Sequence, residues 1–196
     1  LHFLADIHGE FGTYQSMISG MDESIQLGDF GLGFPKQRGL PSMPPQHRFL
    51  RGNHDHPQVC QRHPNYLGEY GYLEEQDLFF VSGAQSVDQE YRTIGLTWWP
   101  DEELSTKQLT EAIDLFGATK PRVVASHDCP LDIYALLDTT KVQRSRTATA
   151  LNEMLLCHTP ELWVFGHHHI SRTLDCGGTR FICVGLEGQS VEIITL

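Results

Sequence analysis

His47-Arg48-Phe49-Leu50-Arg51-Gly52-Asn53-His54-Asp55 passes from a short apolar run straight into glycine, asparagine, histidine and aspartate. The run has the length of a strand, and the residues beyond it both turn a chain and bind metals. Four other places repeat the arrangement. Leu1 to Ala5 leads into Asp6-Ile7-His8, Ser24 to Leu27 into Gly28-Asp29, Arg122 to Ala125 into Ser126-His127-Asp128, and Leu162 to Phe165 into Gly166-His167-His168-His169. One Asp or His after a strand is ordinarily a turn former or a satisfied polar residue. Chance would scatter five such cases over both ends and both faces. In open α/β sheets, side chains just past the C-terminal strand ends converge although distant in sequence. Histidine, aspartate and asparagine delivered that way to one rim are what a pair of metal ions needs.

Working outward, apolar runs short enough for strands lie at 1–5, 23–27, 47–51, 78–82, 121–126, 161–165, 180–184 and 191–196. Three stretches have helical spacing. Residues 10–19 carry Phe11, Tyr14, Met17 and Ile18 on one face and end at Gly20. Ser105 and Gln108 read as a capping box ahead of Leu109, Ala112, Ile113 and Phe116, with Gly117 closing the helix. Residues 145–157 repeat Ala148, Leu151, Leu155 and Leu156 before Pro160 forbids continuation. Residues 78–97 read as adjacent strands, and Gly177-Gly178 as the turn of a hairpin. Pro35 to Pro45 reads as a long surface loop. The pattern predicts an α/β (α+β) fold, two mixed sheets packed together with helices outside, in one domain over 1–196.

A chain of 196 residues can bury roughly 70% of its unfolded surface in one core. Apolar content of 40% and charged content of 20% place it among globular proteins. No apolar run approaches the roughly 18 residues of a membrane span. Leu1 to Ala5 is far too short for a signal peptide, although a chain that opens on Leu rather than Met can have lost residues ahead of it. The five cysteines have no Cys-x-x-Cys spacing, which argues against a disulfide framework or zinc-thiolate cluster and for a reducing, cytoplasmic setting. The net charge of −11 opposes broad binding to duplex DNA. It is compatible with a phosphate substrate, because bound divalent ions would be the largest local charges.

The ordered set Asp6-x-His8, Gly28-Asp29, Gly52-Asn53-His54-Asp55, a lone His127 and Gly166-His167-x-His169 resembles that of the calcineurin-like metallophosphoesterases. The resemblance implies a β-sandwich flanked by helices. It implies that Asp6, His8 and His169 hold one metal, that Asn53, His127 and His167 hold the other, and that Asp29 bridges them. Imidazole, carboxylate and amide oxygen suit Mn²⁺, Fe, Zn²⁺ or Ni²⁺, with Mn²⁺ the expected activator in vitro. Two ions about 3.5–4 Å apart would share a hydroxide, lower its pKa from about 15.7 towards neutrality and clamp the phosphoryl oxygens. His54, assigned to no metal, becomes the candidate general acid.

The family's protein phosphatases carry a second Asp a few residues after Gly-Asp, followed by Arg-Gly, and that Asp orients the acid. Here Asp29 is followed by Phe30-Gly31-Leu32-Gly33-Phe34. Orientation of His54 is therefore expected from Asp55. The glycines superficially suggest a nucleotide-binding loop, but the Walker lysine is missing. Arg51 reads equally as a phosphate contact or a packed arginine, and Trp98-Trp99 as a cleft wall or as core. His168, in the variable slot, is expected to be no ligand. The activity expected is a phosphodiesterase with monoesterase activity, acting on a phosphoester such as a nucleotide or nucleic-acid end, with no membrane partner. A phosphomonoesterase for protein or nucleotide substrates is the alternative. A scaffold that kept the fold but lost turnover is the rival from another class, yet such proteins lose ligands or the acid histidine, and here every position is occupied.

Overall fold

The computed structural model describes residues 1–35, 41–137, 145–185 and 190–192. Three short strands open the chain, β1 (His2–Leu4), β2 (Ser24–Gln26) and β3 (His47–Phe49), with helix α1 (Phe11–Ile18) after the first and the short helix α2 (Pro57–Cys60) after the third. There follow β4 (Tyr70–Leu73) and β5 (Leu78–Val81), helix α3 (Thr106–Thr119), β6 (Val123–Ser126), helices α4 (Leu131–Tyr134) and α5 (Arg146–Cys157), and then β7 (Leu162–Phe165), β8 (Arg172–Cys176) and β9 (Thr179–Cys183). Strand β10 (Ser190–Glu192) returns to pair with β1.

The strands form two sheets, ordered β10-β1-β2-β3 and β4-β5-β6-β7-β9-β8. Both are mixed: β1, β2 and β3 are parallel with β10 antiparallel, and β5, β6, β7 and β9 are parallel with β4 and β8 antiparallel. Alternation along each strand builds the layers. Phe3, Ile25, Leu78, Phe80, Val123, Ala125 and Val164 meet between the sheets. Their neighbours Phe79, Val81, Val124, Trp163 and Phe165 face the other way, under α3, α4 and α5. Leu4 and Phe49 likewise turn outward beneath α1 and α2. Burial on both faces is why these strands read as continuous apolar runs rather than alternating ones. Each such aliphatic or aromatic side chain contributes about 1.5–3 kcal/mol by leaving water.

The helices follow their expected faces with two differences. The capping box at α3 is present, Gln108 N–H donating to Ser105 Oγ at 3.3 Å and Ser105 N–H to Gln108 Oε1 at 3.0 Å. Gly117, however, lies inside α3, which stops at Lys120 (φ 49) because Pro121 disfavours a helical residue before it. In α5, Met154 is buried and Leu156 is exposed. The second strand expected within 78–97 is not formed. Strand β5 already has β4 on one side and β6 on the other, so no edge remains for it. Residues 83–97 instead make a short helical turn at Gln89–Tyr91 and one isolated bridge, Ile94 to Trp98. The Gly177-Gly178 hairpin joins β8 to β9 as expected, both glycines at positive φ (60 and 92). The loop expected over Pro35 to Pro45 and the strand expected over 191–196 lie partly outside the described residues. Among the described residues no helix is long and apolar enough to cross a membrane.

Candidate metal centre

The segments that follow β1, β2, β3, β6 and β7 meet along one rim of the two sheets. Asp6 N–H donates to the Gly28 carbonyl at 3.1 Å, His8 N–H to that of Asp29 at 2.8 Å and Gly166 N–H to that of His127 at 3.0 Å. Two glycines make the approach possible. A Cβ on Gly28 (φ +104) would lie 2.4 Å from His127 Nδ1, and one on Gly52 would lie 2.2 Å from Asp29 Oδ1 and 2.5 Å from His127 Nε2. Asp6, His8, Asp29, His167 and His169 all occupy positive φ, between 47 and 67. Such backbone is uncommon outside glycine and gathers at functional sites.

The expected ligands come together in two groups. Asp6, His8, Asp29 and His169 form one, and Asp29, His127 and His167 the other, the donor atoms of each group lying within 4.8 Å of one another. Within the first, His8 Nε2 is 3.2 Å from His169 Nε2 and 3.8 Å from Asp29 Oδ2, and His169 Nε2 is 3.7 Å from Asp6 Oδ1. Within the second, His127 Nε2 is 3.2 Å from Asp29 Oδ1 and 3.2 Å from Asn53 Oδ1. Asp29 therefore offers one oxygen to each group.

The donor set fits a cation. His127 Nδ1 lies 2.8 Å from the Leu27 carbonyl, which takes its proton and leaves Nε2 as a lone pair facing two oxygens. Three acceptors so placed repel unless a positive charge sits among them. Without a metal that charge is a proton: burial alone would lower the His127 pKa, but Asp29 overrides it and pushes the value up to about 9. Asp29 itself is held well below the usual carboxylate range by His127, His54 and His8, against the upward push of burial. His167 goes the other way. Burial, with the neighbouring charge of His127, brings it down to about 3, so its ring is neutral and ready to ligate.

His54 stands beside the first group. Its amide donates to Asp29 Oδ1 at 2.7 Å, its ring stacks on Phe34 (5.4 Å between centroids, 10° between planes), and it meets the edge of His8 at 4.9 Å. Its Nε2 contacts the guanidinium of Arg92, which Asp88 anchors at 2.6 Å. Burial and Arg92 lower the His54 pKa, with Asp29 opposing.

The orientation of His54 expected from Asp55 is not made. Asp55 is fully buried, and its carboxylate accepts the amides of Gly31 (2.7 Å), Gly52 (2.8 Å), Leu32 (3.0 Å) and Phe30 (3.1 Å). Phe34 and Arg92 hold the His54 ring instead. The glycine-rich stretch thus cradles an internal carboxylate rather than a phosphate. Arg51 is likewise internal, donating to Glu69 Oε2 (2.6 and 3.0 Å) and to the Glu102 carbonyl (2.5 Å). Trp99 is buried against Phe34 and His56.

His168 falls outside both groups, as its alternating position predicts. Its Nε2 lies 3.3 Å from Asp128 Oδ1, and that carboxylate also accepts the Tyr134 hydroxyl at 2.7 Å and the Cys129 amide at 2.8 Å. Burial pushes Asp128 up, but His168, His167 and Tyr134 hold it below the carboxylate range. This pair locks the end of β6 to the end of β7 behind the rim. Arg92 and the stacking role of Phe34 had no signal in the sequence, since neither lies in a recurrent string that carries metal-binding chemistry.

The profile of the calcineurin-like phosphoesterases matches residues 1–171. No curated protein matches the chain. Among solved structures, a dimetal phosphatase from Danio rerio shares the fold at 11% identity and a TM-score of 0.56, with 94% of this chain and 86% of that one covered. GAP50, the anchor in the inner membrane complex of Plasmodium, does so at 13% identity and 0.54, covering 94% and 71%.

Proposed function

The chain belongs to the calcineurin-like phosphoesterase family and is a metal-dependent phosphoric ester hydrolase; from that premise we propose that it works as a dinuclear phosphodiesterase. In this reading Asp6, His8 and His169 hold one divalent ion, Asn53, His127 and His167 hold the second, and Asp29 serves both. The observation that carries it is the Asp29 carboxylate, one oxygen 3.2 Å from His127 Nε2 and the other 3.8 Å from His8 Nε2. Bound there, two ions supply Lewis acidity to phosphoryl oxygens and lower the pKa of the attacking water. Mn²⁺ is our choice of activator, since the donors are nitrogen and oxygen with no thiolate among them.

The chain's own residues do the rest. His54 gives a proton to the leaving oxygen, an assistance worth about 10² to 10⁴-fold. Its amide keeps Asp29 in place, and Phe34 fixes the plane of its ring. In the structure Nε2 accepts from Arg92, whose guanidinium can only donate; a substrate oxygen that draws Arg92 to itself would free Nε2 to carry the proton, with the cation beside it. Arg51, held by Glu69, adds no charge to the rim, which favours the single negative charge of a diester, such as a cyclic nucleotide or the last internucleotide linkage at a nucleic-acid end. A monoesterase reading draws on Arg92, the counter-charge that a dianion needs. All five cysteines are free, which supports a reducing, cytoplasmic setting.

The test is to strip the protein of metal, restore Mn²⁺, and assay bis-p-nitrophenyl phosphate beside p-nitrophenyl phosphate. Mn²⁺-dependent turnover with the diester preferred is expected. Failure to turn over either substrate overturns the enzyme reading, and a preference for the monoester overturns the diester one.

A further inference from the structure

We infer that Ser86 and Glu102 are positioning residues that decide which end of the Asn53 amide faces the second metal group. The inference rests on the ligand role proposed for Asn53. An asparagine amide is nearly symmetric in shape, yet only its oxygen has lone pairs to give a metal. Turned over, Asn53 would present Nδ2, which has no lone pair to give, where the second metal group needs an oxygen. Steric fit alone does not choose between the two.

The choice is made by a chain of hydrogen bonds with one possible direction. The Glu102 carboxylate has only acceptors, so the Ser86 hydroxyl donates to it, at 2.5 Å from Oγ to Oε2. Having given its proton, Ser86 Oγ can only accept, and the group it accepts from is Asn53 Nδ2 at 3.2 Å. Asn53 Oδ1 is thereby left facing His127 Nε2 at 3.2 Å. Asn53 and Glu102 are each 3% exposed and Ser86 is wholly buried, so water does not replace a lost partner. The relay is also held in register with Asn53. Ser86 N–H donates to Glu102 Oε1 at 2.8 Å, and Arg51, two residues before Asn53, donates to the Glu102 carbonyl at 2.5 Å.

Glu102→Gln is the informative change, because it keeps the shape and removes the direction. A carboxamide has one accepting atom where Ser86 uses two, so the hydroxyl is freed to donate towards Asn53. Partners of this kind typically change metal affinity about 10–100-fold. Mn²⁺ titration by calorimetry on metal-free protein is expected to show the affinity of one of two sites falling by about that factor in Glu102→Gln, the other site unchanged. In an Asn53→Asp background, where both oxygens ligate equally, Glu102→Gln should lose most of its effect. Thermal unfolding of each metal-free variant separates folding defects from binding defects.

Asn53→Ala distinguishes the two levels of the argument. If Asn53→Ala weakens one Mn²⁺ site and Glu102→Gln leaves both as they were, the relay is wrong and the site stands. If Glu102→Gln weakens both sites equally, or acts as strongly in the Asn53→Asp background, Glu102 is merely structural and the inference falls. If Asn53→Ala leaves both sites intact, the proposed ligand set itself is wrong.

Discussion

Replacing Gly52 with alanine adds one methyl group at the centre of the metal centre, where nothing flexible can absorb it. The new Cβ would lie 2.2 Å from Asp29 Oδ1, 2.4 Å from the Asp29 amide nitrogen and 2.5 Å from His127 Nε2, against ordinary contact of 3.4 Å or more. The carboxylate offered to both groups must therefore retreat by about an ångström, and the His127 ring by nearly as much. Neither can move alone, because Asp29 Oδ1 also holds the His54 amide at 2.7 Å and His127 Nδ1 is tied to the Leu27 carbonyl at 2.8 Å. Gly52 is not at positive φ, so the effect measures lack of space and not backbone strain. Overpacking of this kind destabilises by about 1–3 kcal/mol, roughly 2–12 °C in Tm for a chain of this size. A displacement near 1 Å of catalytic groups lowers turnover by about 10²-fold. The assay is kcat on bis-p-nitrophenyl phosphate at saturating Mn²⁺, with Mn²⁺ affinity and thermal unfolding measured on the same preparation. Gly12→Ala is the control, since its Cβ meets nothing within 4 Å inside α1, and it should stabilise by about 0.5–1 kcal/mol with activity unchanged. Turnover and Mn²⁺ affinity in Gly52→Ala within about threefold of the parent would refute the account of why glycine stands there, since the expected loss is about 10²-fold.

Three further outcomes follow from the same geometry. His54→Ala should keep both Mn²⁺ sites, because the backbone amide that holds Asp29 remains, while turnover of esters with poor leaving groups falls by about 10² to 10⁴-fold; loss of a metal site in the titration would reassign His54. Asp128→Asn should destabilise by about 3–5 kcal/mol at neutral pH, read from urea midpoints, because His168 and Tyr134 lose a buried charged partner. The native Asp128 pKa is depressed, so its stabilisation is full above the unfolded value of about 3.9 and is lost as the pH falls through the lower native one. The stability gap between parent and variant should accordingly narrow below about pH 4, and a gap constant with pH would contradict the assignment. Arg51→Met leaves Glu69 without its guanidinium and should fall at the lower end of about 3–5 kcal/mol, since that glutamate is only 17% exposed; adding Glu69→Gln should recover part of the loss in the same urea experiment.

The five strand-end strings were legible because each is local. A glycine, an aspartate and a histidine after a β-branched or aromatic run record both the end of a strand and the chemistry placed there, and Asp6, His8, Asp29, Asn53, His127, His167 and His169 do gather at one rim. The layers were legible for a similar reason, since Phe79 and Phe80 cannot both be buried in a strand unless both faces of its sheet are covered. The segment from Gly83 to Thr97 was misread as strand, although Gly83, Ala84, Asp88, Glu90 and Gly95 are residue types that strands disfavour. Only the pairing of β5 with both β4 and β6 leaves it no edge to join.

By itself the sequence determined the family and the kinds of residue that gather at the rim, because these depend on residue kind and on order along the chain. Tertiary structure alone decided the partners. Asp55 could have oriented His54, but four backbone amides claim it; Arg51 could have met phosphate, but Glu69 holds it; and Arg92, unremarkable in its own stretch, reaches His54 across 38 residues of chain. A charged or polar side chain can satisfy itself in several ways, and its neighbours in sequence do not say which. Close packing brings one partner within hydrogen-bonding distance and excludes the others, and that choice settles whether a residue serves the reaction or the fold.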